Sequence, residues 1–249
     1  MRNISLVKKI SFWIFLIPFL SINLCLIFSQ IFVYVETETL SGVYFNNWKI
    51  YEVGDAIGER GFPWIIPYFD GQVSISRVVR VYPNNLIFKP AMIITGILLI
   101  KYWLNNKKII SNLKIYNKDI NKILFFGVGS AILLIIHSIF LGIKFDISIY
   151  KLFRRIILLS FIIFEITAQF YLIKIFTKNK EIIKNLINLN ILFLKKILVY
   201  TLILVAVIIL PFLPFNNLKI LKHILEWNYF LGVIIFYILT FFMWKSSYK

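Results

Sequence analysis

Over most of this chain the apolar positions neither alternate with polar ones nor recur at a helical period; they run on. A helix rises about 1.5 Å per residue, so about 20 apolar residues in a row cross a hydrocarbon core about 30 Å thick. Six runs come close to or exceed that length, at 10–34, 86–104, 123–143, 156–175, 197–215 and 227–244. They predict an all-α integral membrane protein of six transmembrane helices, organised as a single membrane domain over 1–249 with no internal repeat and no Pro, Gly or Ser-rich linker. Arg2, Lys8 and Lys9 precede the first run as they would in a signal peptide. The run is too long for that and no small-residue cleavage site follows, so it reads as a retained anchor.

The polar intervals are short except for one, a connection over 35–85 between the first two helices. Loops of this size are usually functional or disordered. Its content of Tyr44, Phe45, Trp48, Tyr51, Phe62, Trp64, Tyr68 and Phe69 argues against disorder and for an aromatic cap at headgroup level. Alternation over Val43 to Tyr51 is compatible with a short strand, and Gly54, Gly58, Gly61, Pro63, Pro67 and Gly71 divide the segment into turns. Two further stretches, Ile182 to Leu194 and Leu218 to Leu225, are amphipathic at near-helical spacing. They are read either as helices lying flat on the membrane or, for the first, as an extension of the fifth span.

Composition agrees with the runs: 60% hydrophobic and 18% aromatic residues exceed what a soluble domain of this length carries. Charge then orients the chain, because cytoplasmic loops hold the Lys and Arg excess. With the N-terminus inside, the inner segments hold 17 of the 28 cations, Lys195 and Lys196 among them, opposed only by Asp119 and Glu181. Both termini are therefore expected in the cytoplasm. Cations spread over short loops fit topology and contact with anionic lipid better than nucleic acid, which is not expected as a partner. The lone Cys25 forbids an intramolecular disulfide.

Arg is distributed differently from Lys. Of six Arg, five fall on the predicted outer side: Arg60, Arg77, Arg80, Arg154 and Arg155. The guanidinium fork binds phosphate or carboxylate through two parallel hydrogen bonds, which a Lys does not. Asp70, Ser74, Ser76, Arg77, Arg80, Arg154 and Arg155 are accordingly the candidate residues for lipid headgroups or for closing the loop, with Glu52, Asp55, Glu59 and Asp70 as the alternative partners of the Arg.

From Pro67 to Trp103 the chain resembles the Frag1/DRAM/Sfk1 family, which includes the N-terminal region of the Cwh43 proteins. The order Pro67, Ser74, Ser76, Pro83, Ile87, Phe88, followed by Lys89 and AMIITGILLIKYW, carries the resemblance. It implies six spans, a long first outer loop and a role in lipid organisation or remodelling. Arg77, Val78, Val79 and Arg80 depart from the family pattern.

Charges in hydrocarbon are rare and face a cavity or a partner. Two ionisable residues fall inside the predicted spans, His137 in the third and Glu165 in the fourth, and Gln169 shares the Glu165 helix face. Counted from the outer ends, their depths of about 9 Å and 14 to 20 Å allow them to meet. They form the candidate intramembrane polar cluster, read either as a crevice for a headgroup or as interhelical glue.

Catalytic chemistry finds little support. A zinc site needs three or four converging ligands, and the chain has two His, His137 and His223 in separate regions, and one Cys. A Ser nucleophile needs an adjacent base, and no GxSxG, HxxxxD, P-loop or dinucleotide fingerprint occurs. No cofactor or metal is expected. The reading is a non-catalytic lipid-sensing, lipid-organising or lipid-remodelling protein acting at its outer face with membrane lipids as partners. A small transporter and a lipid-modifying enzyme are the alternatives.

Overall fold

The computed structural model describes residues 2–36, 65–80, 83–115, 119–141, 148–209 and 218–245. The chain is all-α, with six helices long and apolar enough to cross a membrane. These are α1 (Arg2–Glu36), α4 (Asn84–Asn112), α5 (Ile120–Phe140), α6 (Ser148–Lys178), α8 (Leu189–Ile209) and α9 (Lys219–Met243). Three short helices join them: α2 (Pro67–Asp70), α3 (Ile75–Arg80) and α7 (Lys180–Ile183). Among the described residues there is no strand; the alternation over Val43 to Tyr51 lies outside them.

The helices overrun the apolar runs that predict them. α4 continues eight residues past Leu104 and α6 begins at Ser148 rather than Ile156. Hydropathy ends at the first cluster of polar residues, whereas backbone hydrogen bonding continues through Lys and Asn once a helix is nucleated. The same cooperativity corrects the reading of Leu218 to Leu225, which is the opening of α9 and not a helix lying flat. Ile182 to Leu194 is also not one helix. Residues 184–188 turn, and that turn pairs with the end of α9 through Asn188 N–H to Met243 O (2.8 Å) and Lys245 N–H to Leu186 O (3.0 Å).

Each long helix packs against its neighbour in sequence, α1 on α4, α4 on α5, α5 on α6, α6 on α8 and α8 on α9, and α9 closes on α1. The result is a ring of six. Lipid provides little hydrophobic drive for helices to associate, so close packing through small residues substitutes for it. At Gly127 of α5 the indole of Trp103 in α4 fills the space a Cβ would take, and Trp103 is fully buried. Facing outward, Trp13, Ile94, Phe125, Ile163 and Leu204 are exposed, as suits contact with acyl chains.

Candidate functional site

A ring of helices leaves its axis to be filled, and here it is filled incompletely. A cavity of about 430 Å³ lies among the helices, with walls that are almost entirely apolar, including Ile14, Phe88, Met92, Leu134, Ile162 and Val233. Its polar lining residues fall at two levels. Ser76, Lys222, Glu226 and His137 lie toward the end that carries the 35–85 connection, and Thr95, Glu165 and Tyr237 lie deeper. The cavity volume falls within the range of small-molecule sites.

The segment from Pro67 to Arg80 covers the connection end, with Ile75, Ser76 and Val79 of α3 in the lining. Side chains of α9 hold it by its backbone. His223 Nδ1 donates to Gly71 O (2.8 Å), Trp227 Nε1 to Val73 O (2.9 Å) and Asn228 Nδ2 to Tyr68 O (2.8 Å). The Glu226 carboxylate accepts the N–H groups of Ile75 and Ser76, at the start of α3. Gly71 makes this docking feasible. It ends α2 at φ 59°, and a Cβ there would strike the Ile220 carbonyl of α9. From the other side, Asn84 ties the segment to α1 and α4. Its Nδ2 donates to Val78 O (2.8 Å), Cys25 O (2.9 Å) and Ser29 Oγ (2.6 Å). Tyr68 packs edge-on against Trp227 (5.0 Å between centroids), and its burial raises the phenol above its ordinary pKa. Phe69, beside it, is 81% exposed.

Most of the residues singled out in this region close the segment. Asp70 accepts the N–H groups of Ile66 (2.8 Å) and Gln72 (3.0 Å), folding its own turn. Ser74 caps α3, accepting Arg77 N–H (3.3 Å), and meets Ser76 Oγ at 3.2 Å. Arg77 and Arg80 occupy the last turn of α3, both half-buried. Arg154 stands over the Tyr150 ring (5.9 Å) and near His137, while Arg155 is exposed on α6. Glu52, Asp55, Glu59 and Arg60 lie outside the described residues. At the opposite end of the bundle, Asp119 joins α5 to α6 through Lys122 (3.2 Å) and Lys174 (3.1 Å), and these two ammonium groups hold its carboxyl below the ordinary range.

The expected cluster of His137, Glu165 and Gln169 forms only in part. Gln169 Nε2 donates to Glu165 Oε1 (2.9 Å), but His137 does not join them. Ser130 takes that place, donating to Glu165 Oε2 at 2.7 Å, and His137 lies seven residues further along α5, about 10 Å away along the axis. Because α5 ends at Phe140 and α6 starts at Ser148, the two depths differ more than the apolar runs imply. The Glu165 carboxylate also accepts the Tyr237 hydroxyl, and the Trp103 indole lies beside it.

Lys195 is the residue that sequence reasoning misplaced. It was counted with the cytoplasmic cations, yet it is fully buried, with Nζ 2.5 Å from Thr240 Oγ1 and 3.8 Å from the centre of the Phe236 ring. Thr240 Oγ1 in turn meets the Tyr102 hydroxyl at 3.3 Å, and the Tyr102 and Tyr237 rings pack edge to face at 5.0 Å. Helical spacing holds the signal: Tyr237 and Thr240 are three residues apart and share one face of α9. That spacing links the surroundings of Lys195 to those of Glu165.

No family model, curated protein or solved structure matches this chain.

Proposed function

We propose that this multi-pass membrane protein binds the hydrocarbon part of a membrane lipid in its central cavity and acts in lipid sensing or organisation on the side away from its termini. The observation that carries this reading is the cavity itself. Its walls are apolar and its charged and imidazole groups Lys222, Glu226 and His137 lie at the covered end, with Thr95, Glu165 and Tyr237 deeper, which suits an acyl chain below a polar head. Such a site supports a binding role better than a catalytic one, because the deep carboxylate of Glu165 is already engaged by Ser130, Gln169 and Tyr237. The resemblance of Pro67 to Trp103 to the Frag1/DRAM/Sfk1 family points the same way and belongs to the same proposal.

Native mass spectrometry of the protein purified from membranes tests it. The wild type is expected to retain about one lipid per chain, and Leu134→Trp, which fills the cavity from the α5 side, is expected to lose at least half of that adduct. Absence of adduct from the wild type, or an unchanged adduct in L134W, overturns the reading. R77A combined with R80A separates two roles for the arginines: a bound population shifted away from anionic lipids assigns them to the headgroup, and an unchanged one assigns them to closing the segment.

Both termini are placed in the cytoplasm on the distribution of cations. Single cysteines at Asn47 and Asn117, against the buried Cys25, are expected to react with a membrane-impermeant maleimide from opposite sides. Labelling of both from one side would refute six spans in this orientation.

A further inference from the structure

Among the described residues the bundle fully encloses one carboxyl, that of Glu165, and one amine, that of Lys195, and they do not touch. Between them stand three hydroxyl groups from two helices. Tyr237 donates to Glu165; Tyr102 lies edge-on to Tyr237 and within 3.3 Å of Thr240; Lys195 reaches Thr240 at 2.5 Å. Packing alone does not call for this order. A buried acid and a buried amine without direct contact each carry a desolvation cost that a leucine in the same place would not. Ionisable groups kept inside membranes at such cost mark ion pathways and proton relays.

We propose that Glu165 and Lys195 are the two ends of a proton path through the bundle, with Tyr237, Tyr102 and Thr240 as its hydroxyl steps. Each transfer balances. The Lys195 ammonium passes a proton to Thr240 Oγ1 as Thr240 releases its own to the Tyr102 oxygen; Tyr102 releases its proton to Tyr237, and Tyr237 releases its proton to Glu165. Ammonium and carboxylate become amine and carboxylic acid, and the net buried charge stays at zero throughout. Release of the Glu165 proton to the cavity, which Glu165 and Tyr237 line, and uptake of one by Lys195 from the terminal end restore the starting state; the same steps reversed carry a proton from the cavity to Lys195 and out at the terminal end. Lys195 lies six residues from the start of α8 at that end, about 9 Å along the axis, so its exit is short. The phenol-to-phenol step has no hydrogen bond in this structure, and the Thr240 hydroxyl donates to Phe236 O (2.9 Å), so rotations of Tyr102 and of the Thr240 hydroxyl would gate the path.

The groups facing the two ends come from several helices: Ser130 of α5, Gln169 of α6, Trp103 and Tyr102 of α4, and Tyr237 of α9 around Glu165; Thr240 and Phe236 of α9 around Lys195. Asn106, one turn beyond Tyr102, is buried nearby with its Nδ2 committed to Tyr102 O (2.9 Å).

The test is proton flux. The full chain is reconstituted in liposomes enclosing a pH-sensitive dye, with potassium and valinomycin clamping the potential, and a pH step is imposed in each direction. The wild type is expected to dissipate the step several-fold faster than protein-free vesicles. K195M, E165Q and Y237F are expected to return the rate to that of protein-free vesicles, and Lys196→Met, beside the path, is expected to keep the wild-type rate. Thr240→Val, which removes a hydroxyl at constant shape, stands in should K195M fail to fold. A wild-type rate equal to that of protein-free vesicles overturns the proposal, as does wild-type flux in a folded K195M or T240V. Lipid adducts retained alongside absent flux would reject the path while leaving the cavity reading intact.

Discussion

Glu165→Ala is expected to destabilise the bundle by about 2 to 4 kcal/mol, because it strands donors from three helices around one missing acceptor. The stranding is uneven. Ser130 can fall back on Gly127 O (2.8 Å) and Gln169 on Val233 O (3.4 Å), each a bond already present. Tyr237, buried and donating to Glu165, makes no second donation that is already in place and has only the neighbouring Gln169 amide to turn to, so most of the cost falls on it. Two comparisons isolate this cause. Glu165→Gln keeps an oxygen for Tyr237 and turns its amide toward Ser130 Oγ, which can accept, so it should cost clearly less than alanine. Adding Tyr237→Phe to E165A should cost little more than E165A alone, since the hydroxyl it removes has already lost its partner. Thermal unfolding in a fixed detergent measures all three. Equal stability of E165A and wild type would show that the carboxylate does not hold α5, α6 and α9 together.

How much of this was legible beforehand depends on which physical rule each residue obeys. Ten or more apolar neighbours on each side make a span unmistakable, so all six helices followed from hydropathy. Their ends did not, because hydropathy reports solvent preference and helix ends are set by hydrogen bonding: the extension of α4 to Asn112 runs through Lys107 and Lys108. Glu165 stood out because a carboxylate in an apolar run has no bland explanation. Lys195 did not, because a Lys pair where a helix enters the membrane has a good one, namely an interfacial anchor. Only the neighbouring helix, bringing Thr240 and Phe236 to it, distinguishes Lys195 from the half-buried Lys196. A crevice at His137 and Glu165 was one of two readings the sequence allowed, but the size and apolar walls of the cavity were beyond it. A void is a property of six helices meeting imperfectly, and no one of them encodes it.

The same limit applies to the stretch from Pro67 to Arg80, whose serines and acids drew attention for their chemistry while its attachment rested on residues some 150 positions later. Trp227→Ala should expose that dependence. Trp227 is fully buried, packs on Tyr68 and donates to Val73 O, so its removal costs the ring contacts, the edge-on pairing and one buried hydrogen bond together, about 3 to 5 kcal/mol by comparison with other large aromatic truncations. The loss is local. α9 keeps its contacts with α1 and α8, while the covering segment retains the holds of His223, Glu226, Asn228 and Asn84, the Tyr68 hydroxyl's bond to Asn23 Oδ1 (3.2 Å) and Gln30 at Ile65 O. Amide hydrogen exchange should therefore rise strongly over 67–80 and little over the long helices. Trp227→Phe divides the effect: it keeps most of the packing and forfeits the bond to Val73, for about 1 kcal/mol, so its exchange should fall between the two. If the segment covers a lipid site, W227A should also release bound lipid faster than wild type while the unfilled cavity remains. Exchange over 67–80 that matches the wild type would show that the segment is held from α1 and α4 instead, through Gln30 and Asn84, and that α9 merely lies beneath it.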